Sequence, residues 1–227
     1  MVVKMERVHT GVKMLDTALA GGIAPGTALL LTGQEGAGAT EFALVFARNA
    51  VTEGARARVV SALRSPARVL AEYGEIFQDA EVGGGFEVRA IAGDMLRAMP
   101  TSPLEGLRRG DVLVVESADA LAPSGDGHSL TPCWRELADG AAATGVIVML
   151  LLSRGTLPAA VEAALGEAAD VVLEFSWERA GPARRRSLAI VKLRGLAPAM
   201  DGDEVPLFEV SLHQGSGFTV DRGRSVL

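Results

Sequence analysis

Six short stretches of this chain run apolar nearly from end to end, at residues 27–33, 56–63, 86–93, 111–117, 145–153 and 169–177. Strands with one wet face alternate apolar and polar residues, so runs like "GVIVMLLLS" require cover on both faces. Helices packed on either side of a parallel sheet supply that cover. Between the runs lie "ATEFALVFARNAVTEG" (39–54), "PARVLAEYGEIFQDAE" (66–81), "SLTPCWRELADGAAATG" (129–145) and "LPAAVEAALGEAA" (157–169), whose apolar residues recur at helical spacing. Gly54 and Gly83 to Gly85 are the expected stops of the first two. Phe42, Val45, Phe46 and Asn49 share one face of the first, so its phenylalanines are expected in the core.

The end of the chain reads differently. "RRRSLAIVKLRG" and "PLFEVSLHQGSGFTV" are joined by the turn-rich "LAPAMDGDEV", which predicts an antiparallel extension at one edge of the parallel sheet. The expected fold class is therefore α/β, with a mostly parallel central sheet flanked by helices. At 227 residues, with no repeat or dividing linker, one domain over 1–227 is the expected organisation.

The first apolar run leads into "TGQEGAGAT" (32–40). A phosphate-binding loop has the pattern G-x-x-x-x-G-K-[ST]; Gly33, Gly38 and the hydroxyl of Thr40 are present, but Ala39 stands where the lysine belongs. Gly36 adds further freedom for a tight turn. Such a loop holds phosphate with backbone N–H groups and a helix N-terminus, while the lysine neutralises the outer oxygens.

The wider charge pattern does not compensate for this loss. The net charge is −6, so no non-specific attraction to nucleic acid or an anionic membrane is expected and any anion site is local. The longest apolar run is far short of a membrane span and the first residues carry no export signal, so neither membrane anchor nor export is expected. Cys133 is the lone cysteine, which fits a reducing cytoplasm and a small buried side chain.

The residues before the loop, "RVHTGVKMLDTALAGGIAPG" (7–26), resemble the opening of the KaiC and RadA branch of the RecA superfamily. That opening is T-G-x-x-x-L-D-x-x-L-x-G-G-I-x-x-G, matched by Thr10, Gly11, Leu15, Asp16, Leu19, Gly21, Gly22, Ile23 and Gly26. The likeness continues through the loop, the acidic end of "VLVVES" and the late "KLRG". It implies a RecA-like P-loop core, with ATP held between neighbouring subunits of a ring or filament.

Set against that family, the chain departs in three places. Ala39 removes the charge of the loop. Arg64 and Ser65 occupy the positions where relatives carry the glutamates that orient the attacking water. Glu116 replaces an aspartate on the Mg²⁺ side and keeps its carboxylate, as Thr40 keeps the hydroxyl. The first two changes remove charge stabilisation and water activation from one site, which points to a non-hydrolysing relative serving as a regulatory or structural subunit. Either ATP or ADP with Mg²⁺ at reduced affinity, or no nucleotide, is expected there. Arg64 has two readings: a group that fills the vacated phosphate position by pairing with Glu116 or Glu35, or an exposed arginine at the start of a loop, which is the commoner case.

Lys192 and Arg194 match the family's K-x-R pair, which the resemblance assigns to a neighbouring subunit's γ-phosphate; the alternative is charge on an exposed edge strand. A homo-oligomer, or a hetero-oligomer with a competent KaiC-like or RadA-like homologue, is the partner expectation. Two rivals remain open: a weak ATPase, and a DNA recombination mediator like the RadA paralogues. Arg179 and Arg184 to Arg186 read as a solvated hairpin tip or a phosphate-binding cluster, without aromatic residues to stack bases. Trp134, Trp177 and Tyr73 read as packing residues, and the three histidines lie too far apart in sequence to suggest a metal. "APSGDGHSL" (122–130) is expected to be a mobile loop.

Overall fold

The computed structural model describes residues 7–77, 84–117, 120, 127–180, 182–194, 207–213 and 217–222. In chain order the strands begin with β1 (Ala28–Gly33), β2 (Ala57–Ser61), β3 (Phe86–Ala90), β4 (Val112–Glu116) and β5 (Ile147–Ser153). They continue with β6 (Val171–Ala180), β7 (Ala183–Leu193), β8 (Leu207–His213) and β9 (Gly217–Arg222). All nine join one sheet in the order β3-β2-β4-β5-β1-β6-β7-β8-β9. Pairing is parallel from β3 through β6 and antiparallel from β6 through β9, which is the expected parallel sheet with an antiparallel C-terminal extension.

Helices α1 (Lys13–Ala18), α2 (Ala39–Thr52) and α3 (Pro66–Phe77) cover one face. On the other face lie α4 (Gly93–Ala98), α5 (Leu130–Thr144) and α6 (Ala159–Ala168). Successive strand residues feed opposite layers: Leu29 and Leu31 of β1 pack with Phe42 and Phe46 of α2, while Leu30 joins the layer of Trp134 and Leu137 from α5. The rings of Phe42, Phe175 and Phe218 meet at 5.5–6.2 Å between centroids. Phe42, Val45 and Phe46 are buried as their spacing predicts. Cys133 is buried too, and burial pushes its thiol pKa up to about 11.

Two sequence expectations need correction. The run at 169–177 continues to Ala180 and turns back into β7, because beyond the core the two strands pair by backbone alone and need no apolar residues. The run at 86–93 stops at Ala90, and the short α4 begins at Gly93. Residues 78–83, 118–119, 121–126 and 195–206 lie outside the described residues, and with them Gly83 of the expected helix stop, most of the 122–130 loop and the "LAPAMDGDEV" connection. Among the described residues, no helix is long and apolar enough to cross a membrane.

The opening motif has structural work to do. The Asp16 carboxylate accepts the Thr10 N–H at 2.7 Å, and Leu15 and Leu19 are fully buried. A Cβ on Gly22 would lie 2.4 Å from the Val8 carbonyl oxygen, so only glycine permits the short Val8–Ile23 bridge that ties this segment together.

Candidate phosphate-loop site

β1 lies between β5 and β6, and its C-terminal end opens into the glycine-rich loop. Gly36 and Gly38 have φ of 71° and 111°, the left-handed region that glycine adopts without strain. The Ala37 N–H donates to the Gln34 carbonyl at 3.0 Å, closing the turn, and α2 starts at Ala39. Gly38, at the N-cap, supplies no side-chain cap, and the first turn of α2 lines a cavity of about 460 Å³. The loop thus has the shape that receives phosphate, a helix N-terminus behind a glycine turn.

The charge of the cavity is of the wrong sign for that use. Its lining carries Glu35, Glu41, Glu72 and Glu116 against Arg64, and Ala39 adds nothing. Thr40 lines the cavity as the family position implies.

Arg64 meets Glu116, one of the two partners considered for it, and is not a freely exposed residue. Its side chain is only 20% exposed and forms a two-pronged contact with Glu116 at the end of β4, the Nε donating to Oε2 at 3.3 Å and Nη2 meeting Oε1. Glu116 is 5% exposed, so this is a largely buried pair. Nη1 donates to Glu72 Oε2 at 2.6 Å, and the guanidinium lies 5.3 Å from the centre of the Tyr73 ring. Burial opposes the Arg64 charge, but Tyr73 and Glu72 outweigh it and raise its pKa above the ordinary arginine value. Burial likewise raises the Tyr73 pKa, against the pull of Arg64. The partners are Glu116 and Glu72 rather than Glu35. Glu72 escaped the sequence reading because it lies eight residues away across a helix start, where no simple spacing rule applies. Tyr73 is correspondingly more than packing.

Ser65, at the second position where relatives carry glutamate, caps α3: its carbonyl accepts the Arg68 and Val69 N–H groups, and Pro66 opens the helix.

Lys192 and Arg194 lie at the other end of the sheet. Lys192 pairs with Val172, which is level with Leu30, three residues before Gly33 and two strands away. That is roughly 10 Å along the strand and roughly 10 Å across, so neither side chain reaches its own loop. Lys192 Nζ donates to the Gly166 and Glu167 carbonyls at 2.8 Å each, and Arg194 Nη2 to Glu167 at 2.9 Å. These are carbonyls of the last turn of α6, which lack helical donors and attract cations. β7 lies between β6 and β8, but its pairing with β8 covers only Arg186 to Ala189, so Lys192 lies beyond that ladder and Arg194 falls one residue past the strand's end. Lys192→Ala is expected to lower unfolding free energy by about 1 kcal/mol, below the range for charged hydrogen bonds because Lys192 is only half-buried and water replaces part of the loss, read from the denaturant midpoint.

A second group of residues was not anticipated. Trp177 and Arg186 face each other across β6 and β7, with the guanidinium 4.3 Å from the indole centre. The indole Nε1 donates to the Glu35 carbonyl at 3.1 Å and Arg186 Nε to the Gly36 carbonyl at 2.8 Å. Gln34 Oε1 accepts the Trp177 N–H at 3.0 Å. Arg186 therefore does not belong to the solvated tip, whereas Arg179, Arg184 and Arg185 are exposed and Arg185 pairs with Glu209.

A glycine-turn loop at the end of a central parallel strand, with the acidic end of another strand opposite and an antiparallel extension at one edge, defines a KaiC-like RecA fold. The comparison with solved structures agrees: a KaiC-like protein of the hyperthermophilic archaeon Pyrococcus horikoshii superposes with a TM-score of 0.78, over 96% of this chain and 99% of that one, at 20% identity. The chain itself belongs to the family described as "Family of unknown function (DUF7125)", which matches residues 7–224. No curated protein matches the sequence.

Proposed function

We propose that this chain is a non-hydrolysing member of the KaiC-like fold, a structural or regulatory subunit whose phosphate cavity is closed by its own side chains. The observation that carries this reading is Arg64, which bridges Glu116 and Glu72 inside the cavity. In a working site the carboxylate at Glu116 serves Mg²⁺; here it is already neutralised by a guanidinium. A nucleotide entering the cavity must displace that pair and meets Glu35 and Glu41 without the lysine that position 39 would supply. Loss of one charge-assisted hydrogen bond alone lowers affinity roughly ten- to a hundred-and-fifty-fold, and repulsion from the carboxylates adds to it. With Arg64 and Ser65 in the water-orienting positions, nothing at those positions activates a nucleophile.

Because Lys192 and Arg194 are out of reach of their own loop, any part they take at a phosphate is played in a neighbouring subunit, so the reading includes an oligomer, with itself or with a competent homologue.

The test is ATP turnover and calorimetric binding by purified protein with Mg²⁺, alongside native mass and bound-nucleotide content. The expected result is no turnover, with little or no binding and an assembled, nucleotide-free protein. Turnover abolished by Thr40→Ala or Glu116→Ala would overturn the proposal.

A further inference from the structure

Three contacts made by Trp177, Arg186 and Gln34 surround the loop, Trp177 and Arg186 standing outside the cavity lining, and each holds a group whose direction matters. In a trans peptide the C=O and the following N–H point in opposite directions. Fixing the Glu35 carbonyl against the Trp177 indole therefore fixes the Gly36 N–H pointing away from that indole, and Gly36 is part of the cavity lining. The next peptide is held at both ends, its Gly36 carbonyl by Arg186 and its Ala37 N–H by the Gln34 carbonyl. Gln34 extends the β1–β6 ladder past the end of β1: its backbone N–H donates to the Phe175 carbonyl at 3.0 Å, and its side chain accepts the Trp177 N–H at 3.0 Å where no further β1 residue is available. Stacking on the indole keeps the Arg186 guanidinium in the plane that its hydrogen bond requires. From behind, the Phe218 ring sits 3.2 Å from where a Cβ on Gly38 would be.

We infer that Trp177 and Arg186 are positioning residues that clasp the phosphate loop and hold its turn, with the Gly36 N–H directed opposite the fixed Glu35 carbonyl, without any ligand. In loops of this kind the nucleotide itself and its lysine contribute to that order; here protein groups on the opposite side of the peptides do so. The inference holds whether or not the cavity binds nucleotide, and so is independent of the proposed function.

The experiment is amide hydrogen exchange of the nucleotide-free protein, following the peptide that contains Gln34 to Ala39 against peptides from β2 and β4. Arg186→Ala is expected to accelerate loop exchange roughly tenfold or more, as expected for loss of a charge-assisted hydrogen bond, and to leave β2 and β4 at wild-type rates. Arg186→Lys keeps the charge but lacks the planar face and the Nε–H, and is expected to restore little. Trp177→Phe removes the donor to Glu35 but keeps a ring beneath Arg186, so an intermediate rate is expected and serves should Arg186→Ala not fold. Loop exchange at the wild-type rate in these variants would overturn the inference, as would acceleration spread evenly over all peptides. Failure of the proposed function shows separately, as ATP slowing loop exchange in the unmodified protein.

Discussion

Arg64→Ala is expected to destabilise the protein by about 3 kcal/mol, although it removes a side chain from the rim of a cavity rather than from the core. The damage is done to what it leaves behind: Glu116, 5% exposed at the end of β4, keeps its charge and loses the group that neutralises it. Breaking a buried pair costs about 3–5 kcal/mol, and the lower end applies because Arg64 is 20% exposed and water can partly take its place. For a chain of this length that corresponds to a fall in thermal midpoint of roughly 6–12 °C. The double replacement Arg64→Met with Glu116→Leu is expected to recover most of the loss, since an apolar pair of similar volume carries no unpaired charge. A single variant within about 0.5 kcal/mol of wild type, the range of ordinary surface changes, would mean that the pair does not hold the site closed.

The second large effect is expected at Gly33. Its φ is not in the left-handed region, so conformational freedom is not what this position requires. A Cβ there would lie 2.4 Å from the Phe175 carbonyl oxygen and 2.8 Å from the Phe175 Cβ, and the backbone of β6 is locked in the sheet and cannot retreat. Gly33→Ala must therefore push β1 and β6 apart where the loop begins, at an expected cost of about 3 kcal/mol, the upper part of the overpacking range. Gly36→Ala makes the contrast. A Cβ at Gly36 meets nothing within 4 Å, and the penalty is the left-handed φ of 71° alone, about 1–2 kcal/mol. Denaturation of the two variants side by side separates close approach from backbone strain; equal losses would refute this division of roles.

The sequence carried the class of fold because its signal is local: unbroken apolar runs and helical spacing survive without knowledge of which strand lies beside which. Short elements escaped, since six-residue helices such as α1 and α4 span too few turns to establish a period. The site was legible where family positions supplied it. Ala39, Arg64 and Glu116 stand in recognisable places, and the pairing of the last two follows from their opposite charges once they meet in one cavity. Glu72 and Tyr73 were not legible because they reach Arg64 across the start of α3. Trp177 and Arg186 were the hardest: their partnership depends on the register of the β6–β7 hairpin and on its lying beside β1, neither of which the local pattern contains.

The position of the loop in the sheet also sets an order of events during biosynthesis. The loop is made early, yet Trp177 holds Gln34 across 143 positions and Arg186 holds Gly36 across 150. At ribosomal rates of about 5–20 residues per second, the nascent loop waits roughly 8–30 s for the residues that shape it. For most of that interval, until residues 147–153 and then 171–180 are made, β1 has neither of its flanking strands, and Leu29 to Leu31 present an apolar, unpaired segment to the surroundings. The same contacts that give the finished protein a ligand-independent loop make that loop one of the last parts to mature, in a chain whose high contact order already predicts slow folding.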